Sequence, residues 1–242
     1  MHHFGIIGYP LQHSFSAKYF SEKFVREHID AEYSLYPIDE HEWTKGEKLK
    51  ELLDQLDGFN VTMPYKQAVI PYLERLDDTA EAVGAVNVFH QRVGYNTDCL
   101  GFMESIRPLL RKDDRQALVL GTGGASKAVC YGLRKLGVIP TLVSRSPKEG
   151  MMGYADLTDE VMKTHTVIVN CTPLGMFPHT KTCPPIPYEY VSARHLLFDC
   201  VYNPEETLFL KKGKSQGATI QNGMGMLYGQ AKEAWRIWEN EK

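Results

Sequence analysis

A glycine-rich run, Gly121-Thr122-Gly123-Gly124-Ala125-Ser126, lies directly between a predicted buried strand and a predicted helix. Gly121 permits a tight turn. Gly123 and Gly124 let the backbone approach a pyrophosphate, which free amides and the positive end of the helix can hold. Because Ser126 stands where the usual fingerprint has its third glycine, the match is a variant. The run predicts a dinucleotide site, and a simple strand-to-helix turn is the alternative.

The strand that follows this site ends in Ser144-Arg145-Ser146, with Lys148 close behind. A site for NAD places an acidic residue there, about 20 positions on, to bind the ribose 2′-hydroxyl. A carboxylate would repel a 2′-phosphate, whereas a guanidinium can hold it with two parallel hydrogen bonds. The sequence therefore favours NADP, and a solvated surface arginine is the alternative.

Polar clusters in the first part of the chain lie at predicted strand ends, where open α/β sheets bind ligands. The clusters are Ser14-Phe15-Ser16, Asn60-Val61-Thr62 with the following Met63 to Lys66, Asn87, and Asn96-Thr97-Asp98. In an extended segment the hydroxyls of Ser14 and Ser16 point the same way, so they could bind one carboxylate. A helix N-cap is the alternative for that pair. Each of the other clusters, taken singly, could be turn chemistry.

These clusters belong to a longer series of motifs, whose order resembles that of the shikimate dehydrogenase family over nearly the whole chain. The matching segments are Ser14-Phe15-Ser16, Asn60 to Lys66, Gly84-Ala85-Val86-Asn87, Asn96-Thr97-Asp98, Gly121 to Ser126, Asn170 to Met176, Asp199 to Pro204 and Gly223 to Leu227. The resemblance implies an NADP-dependent oxidoreductase that interconverts 3-dehydroshikimate and shikimate. Such an enzyme serves chorismate and aromatic amino-acid biosynthesis.

The resemblance also implies a role for each matching residue. The substrate carboxylate would be held by Ser14, Ser16 and Tyr202, with His13 as a candidate for a minor role beside them. The ring hydroxyls would be bound by Asn60, Thr62, Asn87 and Gln230. The cofactor would be bound by Gly121, Gly123, Gly124, Ala125, Ser126, Ser144, Arg145, Ser146, Thr172 and Gly223.

Lys66 and Asp98 are the catalytic pair that the resemblance implies. Hydride delivered to a ketone leaves an alkoxide, which needs a nearby cation or proton donor, and Lys66 can supply it. Asp98 can orient Lys66, keep it charged and bind a neighbouring hydroxyl. The alternative is a structural salt bridge, and the sequence leaves open which residue moves the proton. No metal is expected, because the lysine can polarise the carbonyl.

The chain departs from the family pattern in the segment after Arg145. A full helix is usual there, but Pro147 to Tyr154 is predicted to be a loop, which leaves selectivity for NADP over NAD less secure. A related quinate dehydrogenase, which often has a threonine in the N-terminal motif, can use NAD; Ser16 favours shikimate by family analogy. A quinate or dual-specificity dehydrogenase and a catalytically silent ligand-sensing homologue remain the alternatives.

Strand-like and helix-like segments alternate along the chain and predict an α/β fold with largely parallel sheets. We expect an N-terminal α/β substrate domain (residues 1–98, with the C-terminal helix 224–242 packed on it). A Rossmann-type NADP domain (99–223) would face it across a cleft. One helix is predicted from Trp43 to Leu56.

The composition is that of an ordinary globular protein and argues against binding to nucleic acid or to a lipid surface. Of the 242 residues, 43% are hydrophobic and 24% charged, and the net charge is −3. No overall positive field would attract nucleic acid or a lipid surface. The five cysteines are scattered and form no CxxC pair, which favours a reducing cytoplasm. The partners expected are therefore small molecules, and a homodimer is left open.

Overall fold

A computed structural model describes residues 1–12 and 14–239, without the side chain of Lys45. His13 and residues 240–242, the end of the predicted C-terminal helix, lie outside the described residues. The chain forms two compact units. The first comprises Met1–Thr97 and the chain from Ala231 onward, and the second comprises Asp98–Gln230.

The first unit alternates helices with the strands of one mixed sheet. Its elements before residue 97 are β1 (His2–Gly8), α1 (Phe15–Arg26), β2 (Ala31–Pro37), α2 (Glu40–Lys45), α3 (Glu47–Gln55), β3 (Gly58–Val61), β4 (Arg75–Leu76), α4 (Asp78–Val83), β5 (Val88–His90) and β6 (Val93–Tyr95). The strand order is β2-β1-β3-β5-β6-β4. β1 runs parallel to β2 and β3, but β5 is antiparallel to β3 and β6.

The antiparallel pair arises from a two-residue turn between β5 and β6. Gln91 and Arg92 both have positive φ, 45° and 66°, and His90 pairs with Val93 across the turn. Two central residues with positive φ match the right-handed twist of the flanking strands. This hairpin makes the first sheet mixed, but three of its five strand pairs are parallel, in agreement with the prediction of largely parallel sheets.

The prediction of one helix from Trp43 to Leu56 is wrong, because the structure has two. Gly46 adopts a left-handed conformation with φ of 66° and ends α2, and α3 starts at the next residue. Glycine takes this conformation without the steric cost that a side chain would add. Leu49, Leu52 and Leu53 of α3 pack on one face of the sheet with Phe59.

The opposite core of the first unit is rich in aromatic residues. Phe4 of β1 and Phe20 of α1 pack against Trp238 of α9 (Met224–Glu239). The indole Nε1–H of Trp238 donates to the carbonyl of Phe89 at 3.1 Å. The C-terminal half of α9 is therefore part of this core.

The second unit is a doubly wound α/β fold with an entirely parallel sheet, in strand order β12-β11-β10-β7-β8-β9. Its elements are α5 (Asp98–Ile106), β7 (Gln116–Leu120), α6 (Gly124–Lys135), β8 (Ile139–Ser144), β9 (Met152–Gly153), α7 (Asp159–Thr164), β10 (Val167–Asn170), β11 (Leu196–Asp199), α8 (Leu208–Ser215), β12 (Thr219–Gln221) and the start of α9. The central strands β7, β10 and β11 are buried on both faces, as parallel sheets require.

The segment from Pro147 to Tyr154 is not wholly the loop that the sequence predicts. Its β9 is a two-residue strand that extends the sheet beside Val143 and Ser144 of β8. The Asp156 carboxylate accepts a hydrogen bond from Gly153 N at 2.7 Å and fixes the exit from β9. Within the described residues, none of the helices combines the length and the apolar character that crossing a membrane requires.

Candidate active site

The loop after β3 carries Thr62 and Lys66, and Tyr65 anchors it. Tyr65 is buried, its hydroxyl donates to the carbonyl of Ile38 at 2.7 Å, and its ring stacks on Trp43 at 4.0 Å. Thr62 is tied to the sheet by its amide, which donates to Ile7 O at 2.9 Å. The Lys66 carbonyl accepts from Val86 N at 2.7 Å. The backbone that presents Lys66 is therefore fixed on both sides.

Asn60, Asn87 and Thr97 form a buried hydrogen-bond cluster in the first unit. Asn60 Nδ2 donates to Asn87 O at 3.3 Å, and Asn87 Nδ2 donates to Thr97 Oγ1 at 3.0 Å. Asn87 Oδ1 accepts from Thr97 N at 2.7 Å. All three residues are less than 5% exposed. Asn87 lies one residue before β5, and its hydrogen bonds to Thr97 hold the segment that leads directly into Asp98.

Asp98 is the first residue of α5, and Gln230 lies in α9 where the two helices cross. A Cβ atom at Gly101 would lie 2.4 Å from Met226 O and 2.6 Å from Gln230 N. A Cβ atom at Gly229 would lie 2.8 Å from Gly101 Cα. The two backbones thus touch one helical turn from Asp98, and Gln230, which is 7% exposed, stands at this crossing.

Ser14 and Ser16 do not lie in one extended segment, which is the geometry that the sequence predicts for this pair. Ser14 is the N-cap of α1, and its hydroxyl oxygen accepts from Ala17 N at 3.3 Å. Ser16 is buried in the first turn of the same helix. A capping serine uses a lone pair and keeps its hydrogen for donation. The positive end of the α1 dipole adds attraction for an anion, so the pair still suits a carboxylate.

Tyr202 and Gly223 lie near the end of β11 in the second unit. The Gly223 amide donates to the carbonyl of Val201, the residue before Tyr202, at 3.1 Å. A Cβ atom at Gly223 would lie 2.3 Å from Cys200 O, so only glycine fits this approach. Tyr202 is partly buried.

The glycine-rich run forms the turn between β7 and α6. Gly121 has φ of 105°, and its amide donates to Val143 O at 2.9 Å. Gly123 is the N-cap of α6, and the first turn is tightened by Ser126, whose Oγ donates to Gly123 O at 2.7 Å. A Cβ atom at Gly123 or Gly124 would meet no described atom within 4 Å. Packing does not explain these two glycines, whereas close approach of a pyrophosphate does.

Beside this turn is a cavity of about 360 Å³. Of the predicted cofactor residues, it is lined by Gly121, Gly123, Ser144, Arg145 and Thr172. Gly124, Ala125, Ser126, Ser146 and Gly223 are described by the structure but are not part of its wall.

Residues outside the predicted cofactor set also line the cavity, among them Tyr154, Pro173 and Leu174. Burial raises the pKa of Tyr154, and the positive charge of Arg145 opposes that rise. Tyr154 follows β9, whose pairing the sequence pattern did not reveal. The cavity joins a helix N-terminus, a guanidinium and apolar side chains, which fits the adenosine 2′-phosphate end of NADP.

Thr172 is held at the cavity wall by a network that ends at Asp199. Asn170 Oδ1 accepts from Thr172 N at 3.0 Å and from Thr172 Oγ1 at 2.6 Å. Asn170 Nδ2 in turn donates to Asp199 Oδ1 at 2.9 Å. Asp199 also accepts from Val201 N at 3.0 Å and from Thr207 Oγ1 at 2.6 Å. The carboxylate thereby joins the cofactor loop to the segment that carries Tyr202.

Desolvation of the fully buried Asp199 outweighs these hydrogen bonds and raises its pKa from 3.8 to about 6. Between these pH values the folded state binds more protons than the unfolded state, so its free energy of unfolding falls as pH rises. Asp199→Asn removes this titration. We expect the unfolding free energy of the wild type, relative to that of Asp199→Asn, to fall by about 2 kcal/mol from pH 4 to pH 7.

Urea unfolding of both proteins at several pH values measures this difference. Asp113→Asn is the control, because the Asp113 side chain is 64% exposed. A difference between wild type and Asp199→Asn that is constant with pH would contradict the burial argument.

Comparison with known proteins identifies the family. Residues 6–89 match the model of the shikimate dehydrogenase substrate binding domain. The shikimate dehydrogenase (NADP(+)) of Methanosphaera stadtmanae is 32% identical over 97% of this chain and 90% of its own length. That of Crocosphaera subtropica is 36% identical over 97% of this chain and 89% of its own.

Solved structures agree with this result. Shikimate dehydrogenase from Aquifex aeolicus has a TM-score of 0.86 and 34% identity, and covers 99% of this chain and 93% of its own. The Thermus thermophilus enzyme, solved with NADP(H) and shikimate, has a TM-score of 0.87 and 28% identity, over 99% and 94%. The α/β fold with its Rossmann-type unit is thus confirmed, and the chain belongs to the shikimate dehydrogenase family.

Proposed function

We propose that the protein catalyses the reversible reduction of 3-dehydroshikimate to shikimate with NADPH. One observation carries the proposal: Asn60 Nδ2 donates to the carbonyl of Asn87, and the amide of Val86, the residue before Asn87, donates to the carbonyl of Lys66. One part of the first unit therefore supplies two kinds of group. Its amides can bind the hydroxyls of a polyol, and its lysine ammonium can protonate an alkoxide. The second unit supplies the cradle for NADP.

The substrate carboxylate is bound at the N-terminus of α1 in this proposal. Ser14 and Ser16 donate hydroxyl hydrogens to it, and the helix dipole stabilises its charge. Tyr202 adds a third donor from the segment held by Asp199. Asn60, Thr62, Asn87 and Gln230 bind the ring hydroxyls, and these contacts orient the ring before reaction.

Lys66 protonates the oxygen of the reacting carbonyl. NADPH, when bound, supplies the hydride that converts this carbonyl to an alcohol. As negative charge develops on the oxygen, the Lys66 ammonium stabilises it and transfers a proton from Nζ. Asp98, the second residue of the proposed catalytic pair, accepts a hydrogen bond from a neighbouring substrate hydroxyl. Arg145 holds the 2′-phosphate at the edge of the cavity.

Initial-rate oxidation of shikimate and of quinate, each with NADP and with NAD, tests the proposal. We expect shikimate with NADP to be fastest, because Ser16 leaves no extra methyl group at the carboxylate and Arg145 recognises the 2′-phosphate. The reduced nicotinamide is followed by absorbance.

The other outcomes each overturn a part of the proposal. Comparable rates with quinate or NAD would place the protein among broader-specificity relatives. A complete lack of turnover with all four pairs would indicate a ligand-sensing protein. A cytoplasmic location and a homodimer stay predictions from the sequence.

A further inference from the structure

Tyr33 of β2 places its hydroxyl inside the candidate substrate site. The hydroxyl donates to Asn60 Oδ1 at 2.6 Å, across 27 residues of chain. The ring stacks on Phe20, which is fully buried, with centroids 5.0 Å apart and planes 17° from parallel. The phenol is therefore fixed by packing before it makes its hydrogen bond.

Two contacts fix the side-chain amide of Asn60 in one orientation. Its oxygen accepts from Tyr33, and its nitrogen donates to Asn87 O at 3.3 Å. A flipped amide would direct its oxygen at the Asn87 carbonyl, which can only accept. With one N–H bound to Asn87, the second N–H of Asn60 is the donor that the amide can offer to a ligand.

The protonation state of Tyr33 supports its role as the donor in the hydrogen bond to Asn60. Burial raises the pKa of Tyr33 well above its ordinary value, and hydrogen bonding with Ser16 offsets part of the rise. Tyr33 thus keeps its hydrogen and remains a donor across the working range of an enzyme assay. Its phenol oxygen also stands beside a second predicted substrate residue, Ser16.

From this arrangement, and on the basis of the proposed function, we infer that Tyr33 is a positioning residue for substrate specificity. It holds Asn60 so that the amide donates to a substrate hydroxyl oxygen and does not accept from it. The substrate class this selects is a cyclic polyol carboxylate whose ring hydroxyl accepts a hydrogen bond at that position.

Tyr33→Phe tests the inference, because it removes one hydroxyl and keeps the stacked ring. We expect the KM for shikimate to rise about tenfold, with kcat and the KM for NADP within about twofold of wild type. Tyr36→Phe, on the same strand, is the matched control and should leave all three constants unchanged. Equal rises in both KM values, or no change in either, would overturn the inference.

A double-mutant comparison separates positioning from a general structural effect. Because Tyr33 acts through Asn60, Tyr33→Phe should raise the KM for shikimate no further in an Asn60→Ala background. Additive effects in the two backgrounds would contradict the inference.

A spectroscopic measurement does not depend on turnover. In ¹⁵N-labelled protein, the side-chain amide signal of Asn60, assigned by its loss in Asn60→Ala, should move or broaden in Tyr33→Phe and stay in place in Tyr36→Phe. If the wild type failed to oxidise shikimate, the proposed function would fall while this signal still tested the Tyr33–Asn60 contact. An unmoved signal would overturn the contact itself.

Discussion

Replacing Lys66 with alanine is expected to lower kcat by about 10³-fold while the KM for shikimate changes only a few-fold. The ammonium group acts on charge that appears mainly in the transition state, so its loss should affect the chemical step more than binding. The backbone should keep its place, because Tyr65 anchors the loop and the Lys66 carbonyl bonds to Val86 N. Steady-state kinetics of shikimate oxidation with NADP measure both constants.

The control for this variant is Lys18→Ala, which removes an ammonium group from α1 on a side chain that is 78% exposed. Lys18→Ala should have wild-type kinetics, and thermal unfolding should show that Lys66→Ala is folded. If the KM of Lys66→Ala rose while kcat held, Lys66 would be a binding residue only, and another donor would have to protonate the alkoxide.

Arg145→Glu is expected to raise the KM for NADP by about 100-fold and to leave the KM for NAD nearly unchanged. The substitution removes two charge-assisted hydrogen bonds to the 2′-phosphate and puts a like charge in their place. Arg145 and Tyr154 both line the cofactor cavity, where burial raises the pKa of Tyr154 and the positive charge of Arg145 opposes that rise. The loss of affinity should therefore be confined to the 2′-phosphate end of the cofactor. Kinetics with both cofactors measure the change in preference.

Lys148→Ala provides the comparison, because Lys148 is a nearby cation that is not part of the cavity wall. It should change the KM for NADP far less than Arg145→Glu does. Equal effects of the two variants would mean that NADP is recognised by the general positive field of this segment and not by a guanidinium contact.

The parts of the fold that could be predicted from sequence are those with a local cause. The turn at Gly121 was predictable because a strand, a glycine run and a helix follow one another, and the structure gives Gly121 a positive φ of 105°. Ser14 was open to two interpretations, and the structure shows the N-cap. The tendency of a serine hydroxyl to bind a nearby backbone amide determines the conformation at Ser14, and the extended geometry expected from the Ser-Phe-Ser spacing does not form.

The parts that could not be predicted depend on contacts between distant segments. Gln91-Arg92 lacks the Asn-Gly signature of a hairpin turn, so the antiparallel β5–β6 pair could not be predicted from the sequence. The bond from Tyr33 to Asn60 joins residues 27 positions apart and follows from the order of strands in the sheet. Tyr154 lines the cofactor cavity because β9 pairs with β8. A strand of two residues is too short to be recognised from a hydrophobic pattern in the sequence.

The crossing of α5 and α9 is made by main chain on both sides, at Gly101 and Gly229. Side chains that meet at an interface can change rotamer, but Gly101 and Gly229 have no side chain that could do so. The spacing between Asp98 and Gln230 is therefore set by atomic radii and helix geometry. A substitution that adds a Cβ atom at Gly101 or Gly229 would therefore push the two helices apart and move Gln230 away from Asp98.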